Sequence, residues 1–220
     1  MKIKVIGIGG LGCDVIRRFG KYEHKDVSLA VIDTHRIFSD WYSNEVQLIQ
    51  LGKNCLKGFS VANEERLPLL KQAIEETKEE IYKCLEKVSC LFIVCGACGL
   101  TGGPTSKALL KMAKEKNIKT VLIIQNPAPF EGERRIKRAK ATINELKYLA
   151  DICVLDEVFS FYYKNGTKRY VKDIVDMKYL FLLQDKKLSQ LIKELIDIEI
   201  WKYSTYDVEK EENGLQSTSI

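Results

Sequence analysis

Gly7, Gly9 and Gly12 stand as G-x-G-x-x-G between an apolar run at residues 2–8 and a helical stripe that begins at Val15 and Ile16. Glycines at this spacing let the main chain come close to a diphosphate, while unpaired N–H groups and the dipole at the helix start attract its negative charge. Asp33 ends the next apolar run about twenty residues further on, which completes the pattern of a nicotinamide dinucleotide site. The signal belongs to phosphate sites in general, and the same glycines would also serve if they only let a helix pack closely on a strand. Cys95 and Cys98 form a C-x-x-C. No second cysteine pair stands at zinc-site spacing, so Cys95 is read as a strand end and no metal site is assigned.

Chemistry at these residues requires elements that hold them in place. Apolar runs at residues 2–8, 27–32, 90–95, 120–125 and 151–155 are expected to be strands. Helices are expected at 14–19, 64–88, 106–116, 132–149 and 171–195; in the second, Leu67, Leu70, Ile74, Ile81 and Leu85 recur at helical intervals. Strands that are apolar throughout and separated by helices imply a parallel sheet covered on both faces. The expected fold class is therefore α/β, a three-layer, Rossmann-like parallel sheet with ligands at the carboxyl ends of its strands. Residues 1–203 are expected to form one domain with a long closing helix, and residues 204–220 a polar, disordered tail.

Composition narrows the function classes. The chain has 220 residues and a formal net charge of +5, its Lys and Arg being interleaved with Glu along helical segments as in EETKEEIYKCLEK. That pattern is a solvated helix face, without the clustered basic residues and reading element of a nucleic-acid binder. No apolar run approaches the ~20 residues of a membrane helix, and the start enters a strand with no export signal. The seven cysteines, an odd number, suit a reducing cytoplasm better than a disulfide framework.

Four segments fall in order: KVIGIGGLGCD, IQLGKNCLKGFSVANEE, GACGLTGG and PAPFEGERRIKRA. Together they resemble the nucleotide-binding domain of FtsZ, the bacterial and archaeal relative of tubulin. The first segment alone also resembles the start of ThiF-type adenylating enzymes, which use ATP. The FtsZ resemblance implies that Gly9, Gly10 and Gly12 belong to the first phosphate loop, with Cys13 in place of a glycine. Asp14 stands in place of an asparagine that contacts guanine, and a carboxylate accepts a hydrogen bond from the base but cannot donate one. The family's N-T-D is represented by Asp33-Thr34-His35, and its GLGAGANPE by residues 58–65, one residue shorter and without the glycines that hold the terminal phosphate. The signature loop GGGTGTG corresponds to residues 98–104, so Gly99, Thr101, Gly102 and Gly103 are implied phosphate contacts and Pro104 removes one N–H donor. Glu131 and Arg135, one helical turn apart, are implied to hold the ribose and the sugar-base region; an ordinary salt bridge is the other reading of the pair. Asp156 and Asp176 are implied base contacts, Asp176 by aligning the family's F-x-x-A-D with a one-residue gap and Lys172 in the place of the phenylalanine.

In the family, hydrolysis needs a carboxylate loop, N-x-D-F-A-D, that reaches the neighbouring subunit's nucleotide. Counting along one helix of about twenty residues from Asp176 leads to Asp197, Glu199 and Lys202, a degenerate loop with lysine at the second carboxylate position. The resemblance covers nearly all of this chain but only the first half of a usual FtsZ, with no counterpart of its second domain. It implies a cytoplasmic FtsZ-like protein that binds GTP or GDP, with Mg2+, or has lost its nucleotide. The implied role is a non-hydrolysing regulatory or structural one, with itself or an FtsZ-type filament protein as partner. The alternatives are a slow GTPase and a Rossmann-type enzyme that uses NAD or ATP.

Overall fold

The computed structural model describes residues 1–19, 24–61, 63–157, 160–162, 168–170 and 177–216. Six strands form its main sheet: β1 (Ile3–Ile8), β2 (Val27–Asp33), β3 (Val46–Gln50), β4 (Cys90–Gly96), β5 (Lys119–Asn126) and β6 (Ile152–Glu157). All neighbouring pairs are parallel, in the order β3-β2-β1-β4-β5-β6. Separately, β7 (Ser160–Tyr162) pairs antiparallel with β8 (Lys168–Tyr170).

Alternation along β1 shows how both faces are filled. Ile3 and Val5 point into one core, with α1 (Gly9–Phe19) and α6 (Met177–Gln216); Ile6 and Ile8 point into the other, with α2 (Leu67–Glu76), α3 (Lys78–Cys84), α4 (Gly102–Glu115) and α5 (Glu133–Leu146). This is the three-layer α/β architecture expected from the apolar runs. From β1 the order of the sheet runs outward in both directions, so a crevice opens at the carboxyl ends of β1 and β4, where ligands of such sheets bind.

Several boundaries differ from the sequence expectation. β3 was not expected, because its five residues, VQLIQ, are short and only two of them are buried. The expected helix at 64–88 is a 3-10 turn at Glu64–Arg66 followed by α2 and α3, with a break at Thr77. There the Thr77 hydroxyl donates to the Ala73 carbonyl (2.8 Å) and accepts from the Gly52 N–H (3.4 Å), and this competes with regular helix geometry. Helices α1 and α4 start at Gly9 and Gly102, earlier than their apolar stripes suggest, because the glycine loops themselves form the first turns. Helix α6 runs to Gln216, past residue 203 where composition ended the folded domain. Glu209, Lys210, Glu211 and Glu212 are good helix formers, and polarity alone does not terminate a helix. No described helix is long and apolar enough to cross a membrane.

Candidate functional site

A cleft of ≈ 410 Å³ lies at this crevice. Its floor is formed by the starts of α1 and α4, at Gly9-Gly10 and Thr101-Gly102, and two helix N-termini converge there. Their first-turn N–H groups have no partner within their own helices, so the floor favours an anion. Gly9 has a φ of +70°, and a Cβ on it would lie 3.4 Å from the Gly102 nitrogen, so the two loops touch. The Thr34 and Thr101 hydroxyls, 3.2 Å apart, join the end of β2 to the same floor.

What a side chain would meet sorts four of the implied phosphate glycines into two pairs. At Gly10 a Cβ would meet nothing within 4 Å, and at Gly99 its nearest neighbour would be 3.8 Å away. Packing does not demand glycine at either position, and both line the cleft, which their missing side chains keep open. A Cβ on Gly12 would come within 2.4 Å of the Val94 carbonyl oxygen, and one on Gly103 within 2.7 Å of the Thr142 methyl. These two glycines serve helix-on-strand and helix-on-helix packing and do not line the cleft.

Glu131 and Arg135 face the cleft from one wall. The Glu131 carboxylate accepts from the Ala128 N–H (2.7 Å) and from Arg135 (2.9 Å), and Arg135 also donates to the Cys98 sulfur (3.0 Å). The pair is thus a salt bridge and a cleft wall at once. Gln125, at the carboxyl end of β5, lines the cleft at 5% exposure, and its side-chain N–H2 has no partner. A buried donor without an acceptor costs about 1–3 kcal/mol, which an acceptor on a ligand would relieve.

The opposite end of the cleft holds Asp14 from α1 and Phe181, Gln184 and Asp185 from α6. Asp14 pairs with Arg17 at 2.7 Å, and Asp185 faces Arg18 at 4.0 Å. Burial, and next the negative charge of Asp14, push the Asp185 carboxyl up to about 6. Asp176 and Lys172 lie outside the described residues. Phe181-Leu182-Leu183-Gln184-Asp185 follows the F-x-x-A-D spacing without a gap, nine residues beyond Asp176. A helix begun at residue 171 puts the motif nine residues earlier than this spacing does.

Asp156 does not line the cleft. At 6% exposure it accepts from Lys187 (2.9 Å) and from Gln184, so it fastens α6 to β6. Glu199 is buried in an ion pair with Lys119 at the start of β5, the end of the sheet away from the cleft. Asp197 and Lys202 are exposed, and residues 197–202 are helical. With the count anchored on Asp185, the three loop positions move nine residues on, from 197, 199 and 202 to Tyr206, Val208 and Glu211.

A second cavity, ≈ 340 Å³, adjoins the cleft across Gly10, Asp14 and Thr101, with Asp33, Arg36 and Trp41 in its walls. Burial raises the proton affinity of Asp33 against hydrogen bonds from the Thr34 and His35 main chain. Cys95 and Cys98 are both buried, and burial pushes the Cys95 thiol up to about 12, which disfavours the thiolate a metal needs. Among the described residues no group of three or more His, Cys, Asp or Glu is placed to hold a metal ion.

Comparison with known proteins gives a consistent picture. The family profile described as "Tubulin/FtsZ family, GTPase domain" matches residues 2–157. The chain is 27% identical over 198 residues to cell division protein FtsZ 1 of Thermococcus kodakarensis, covering 90% of this chain and 50% of that protein. Over 197 residues it is 29% identical to FtsZ 1 of Archaeoglobus fulgidus, covering 89% of this chain and 50% of that protein. The chain thus spans about half the length of the curated relatives it matches. An empty FtsZ dimer from M. jannaschii superposes with a TM-score of 0.74 at 24% identity, covering 89% of this chain and 54% of the other. A GTPγS-bound protofilament of CetZ2 from Haloferax volcanii superposes with a TM-score of 0.70 at 17% identity, covering 89% and 58%.

Proposed function

The chain belongs to the tubulin/FtsZ family, and from that premise we propose that its cleft binds guanine nucleotide, GTP or GDP, without efficient hydrolysis. We propose further that it acts as a regulatory or structural partner in filament assembly, its own or that of an FtsZ-type protein. The observation that carries the reading is the floor of the cleft, where two helix starts meet beside Gly10 and Gly99, two glycines that packing does not require. The Gly9-Gly10 and Gly99-to-Gly102 loops take the phosphates, Glu131 and Arg135 the sugar, and Asp14, Phe181 and Asp185 the base. Mg2+ in this reading travels with the phosphates and neutralises their charge. The proposal of slow or absent hydrolysis is supported by the second half of α6. On the count from Asp185 only Glu211 keeps an acid, Val208 replaces the other, and both lie in continuous helix. A site short of one carboxylate polarises water poorly.

The second cavity favours a second reading, a dinucleotide whose other nucleoside reaches Asp33 at the end of β2. Calorimetric titration with GDP, GTP and NAD separates the two. Guanine nucleotide is expected to bind and NAD not; micromolar NAD binding with no guanine-nucleotide signal would overturn the proposal. In a phosphate-release assay, GTP turnover should not rise with protein concentration, and turnover that does rise would refute the catalytic part.

A further inference from the structure

At the base end of the cleft two carboxylates on different helices face the same space, each with an arginine of α1 behind it. Arg17 holds Asp14 at 2.7 Å and lies 5.4 Å over the Trp41 ring; Arg18 stands 4.0 Å from Asp185. Asp33, His35 and Arg36 line the adjoining cavity together with Asp14. Lys187, two residues on from Asp185, is committed to Asp156 (2.9 Å), and Glu131 is committed to Arg135 (2.9 Å) across the cleft.

Two partly buried carboxylates without counter-charge share a proton, because ionising the second beside the first is unfavourable. The protonated member is then a hydrogen-bond donor and welcomes a keto oxygen as readily as an amino group. An arginine behind a carboxylate favours its ionised form, which only accepts. On the guanine-nucleotide reading above, we propose that Arg17 and Arg18 are positioning residues that keep Asp14 and Asp185 as paired acceptors, so that the site selects a purine by its amino group at C2. Guanine offers N1–H and two N2–H hydrogens to such a pair. Hypoxanthine offers N1–H alone, and xanthine turns a carbonyl oxygen toward a carboxylate.

The balance at Asp185 is close. Its carboxyl titrates at about 6, raised by burial and then by Asp14 and opposed by Arg18 and Arg17. The acceptor is therefore present above that pH and lost as pH falls through it, and removal of Arg18 moves the loss upward. A guanidinium at 4 Å, partly exposed, is worth about one pH unit here.

The test is calorimetric titration of the full chain with GDP and with IDP between pH 5.5 and 8, for the unmodified protein, Arg17→Ala, Arg18→Ala and Arg18→Lys. The unmodified protein should prefer GDP by about tenfold or more at neutral pH, the value of one or two charge-assisted hydrogen bonds. In Arg18→Ala the pH midpoint for GDP should rise by about one unit, which weakens GDP about threefold at pH 6.5 relative to the unmodified protein. The GDP-to-IDP ratio should shrink in Arg17→Ala and Arg18→Ala, and Arg18→Lys should restore both readouts. Titration of the nucleotide's own phosphate is common to all four proteins, so differences between them report on the carboxylates. GDP binding with the same pH profile and the same GDP-to-IDP ratio in Arg18→Ala would overturn this inference and leave the guanine reading standing. Absence of GDP binding at every pH would overturn both.

Discussion

Gly10 and Gly12 are two residues apart in one motif and do different work. A Cβ on Gly10 would stand in open space at the junction of the two cavities, whereas one on Gly12 would overlap the Val94 carbonyl at 2.4 Å. Gly10→Val is therefore expected to keep the thermal stability of the protein and to weaken GDP by about tenfold or more, by blocking the floor. Gly12→Ala is expected to lose about 3 kcal/mol of stability by overpacking helix on strand. Urea unfolding and calorimetric titration of both variants check the division; loss of stability in Gly10→Val would show that this glycine is structural too. The spacing of the glycines was legible in the sequence, but their division was not. G-x-G-x-x-G is one pattern, and the neighbours that distinguish its members, Val94 and Thr142 for Gly12 and Gly103, come from distant parts of the chain.

Helix α6 decides which side chains face Asp14 across the cleft. Leu188, Ile192 and Ile196 bury it against Val15, Ile16 and Phe19 of α1, and Asp156 of β6 fixes its first described turns through Gln184 and Lys187. Asp156→Ala leaves the Gln184 amide, 2% exposed, without its acceptor, while Lys187 is open enough to be solvated. A loss of about 2 kcal/mol is expected in urea unfolding. GDP affinity should fall with it, because Phe181 and Asp185 ride on the same turns. Unchanged GDP affinity in a destabilised Asp156→Ala would separate the anchor from the site. The sequence placed Asp156 and Asp176 together as base contacts by pattern alignment. Asp156 sits instead in the contact between β6 and α6, and Phe181 to Asp185 bring the matching spacing to the cleft, since a helix register is set by which face packs on α1.

Across the whole molecule, exposed apolar side chains gather on the cleft face. Of the nine large hydrophobic side chains exposed among the described residues, Phe38, Trp41, Phe59, Phe130 and Phe181 belong to segments that border the cleft or the adjoining cavity. A rim of this kind suits association with another protein surface, and a head-to-tail contact through it would leave two different faces in play. Phe59, 66% exposed, is the clearest probe. Phe59→Ser should leave stability within about 0.5 kcal/mol and reduce nucleotide-dependent association in light scattering. The chain itself is expected to form small oligomers and to alter the assembly of a filament-forming FtsZ from the same cell at equimolar mixing. Long filaments of this chain alone in electron microscopy would contradict the first expectation, and unchanged FtsZ assembly the second.

The sequence by itself determined the elements whose causes are local. Apolar runs made β1, β2, β4, β5 and β6, the glycine loops stood at the starts of α1 and α4, and a one-turn spacing joined Glu131 to Arg135. Their order then implied a parallel sheet covered on both faces. Only the tertiary structure decided what depends on partners far along the chain. It decided that β3 is an edge strand, that Thr77 breaks a helix to meet Gly52, that Gly12 packs while Gly10 stays open, and that α6 turns Asp185 toward Asp14. The physical reason is the same throughout: hydropathy and spacing report which way a residue faces within its own element, whereas a site is made by the approach of elements to one another.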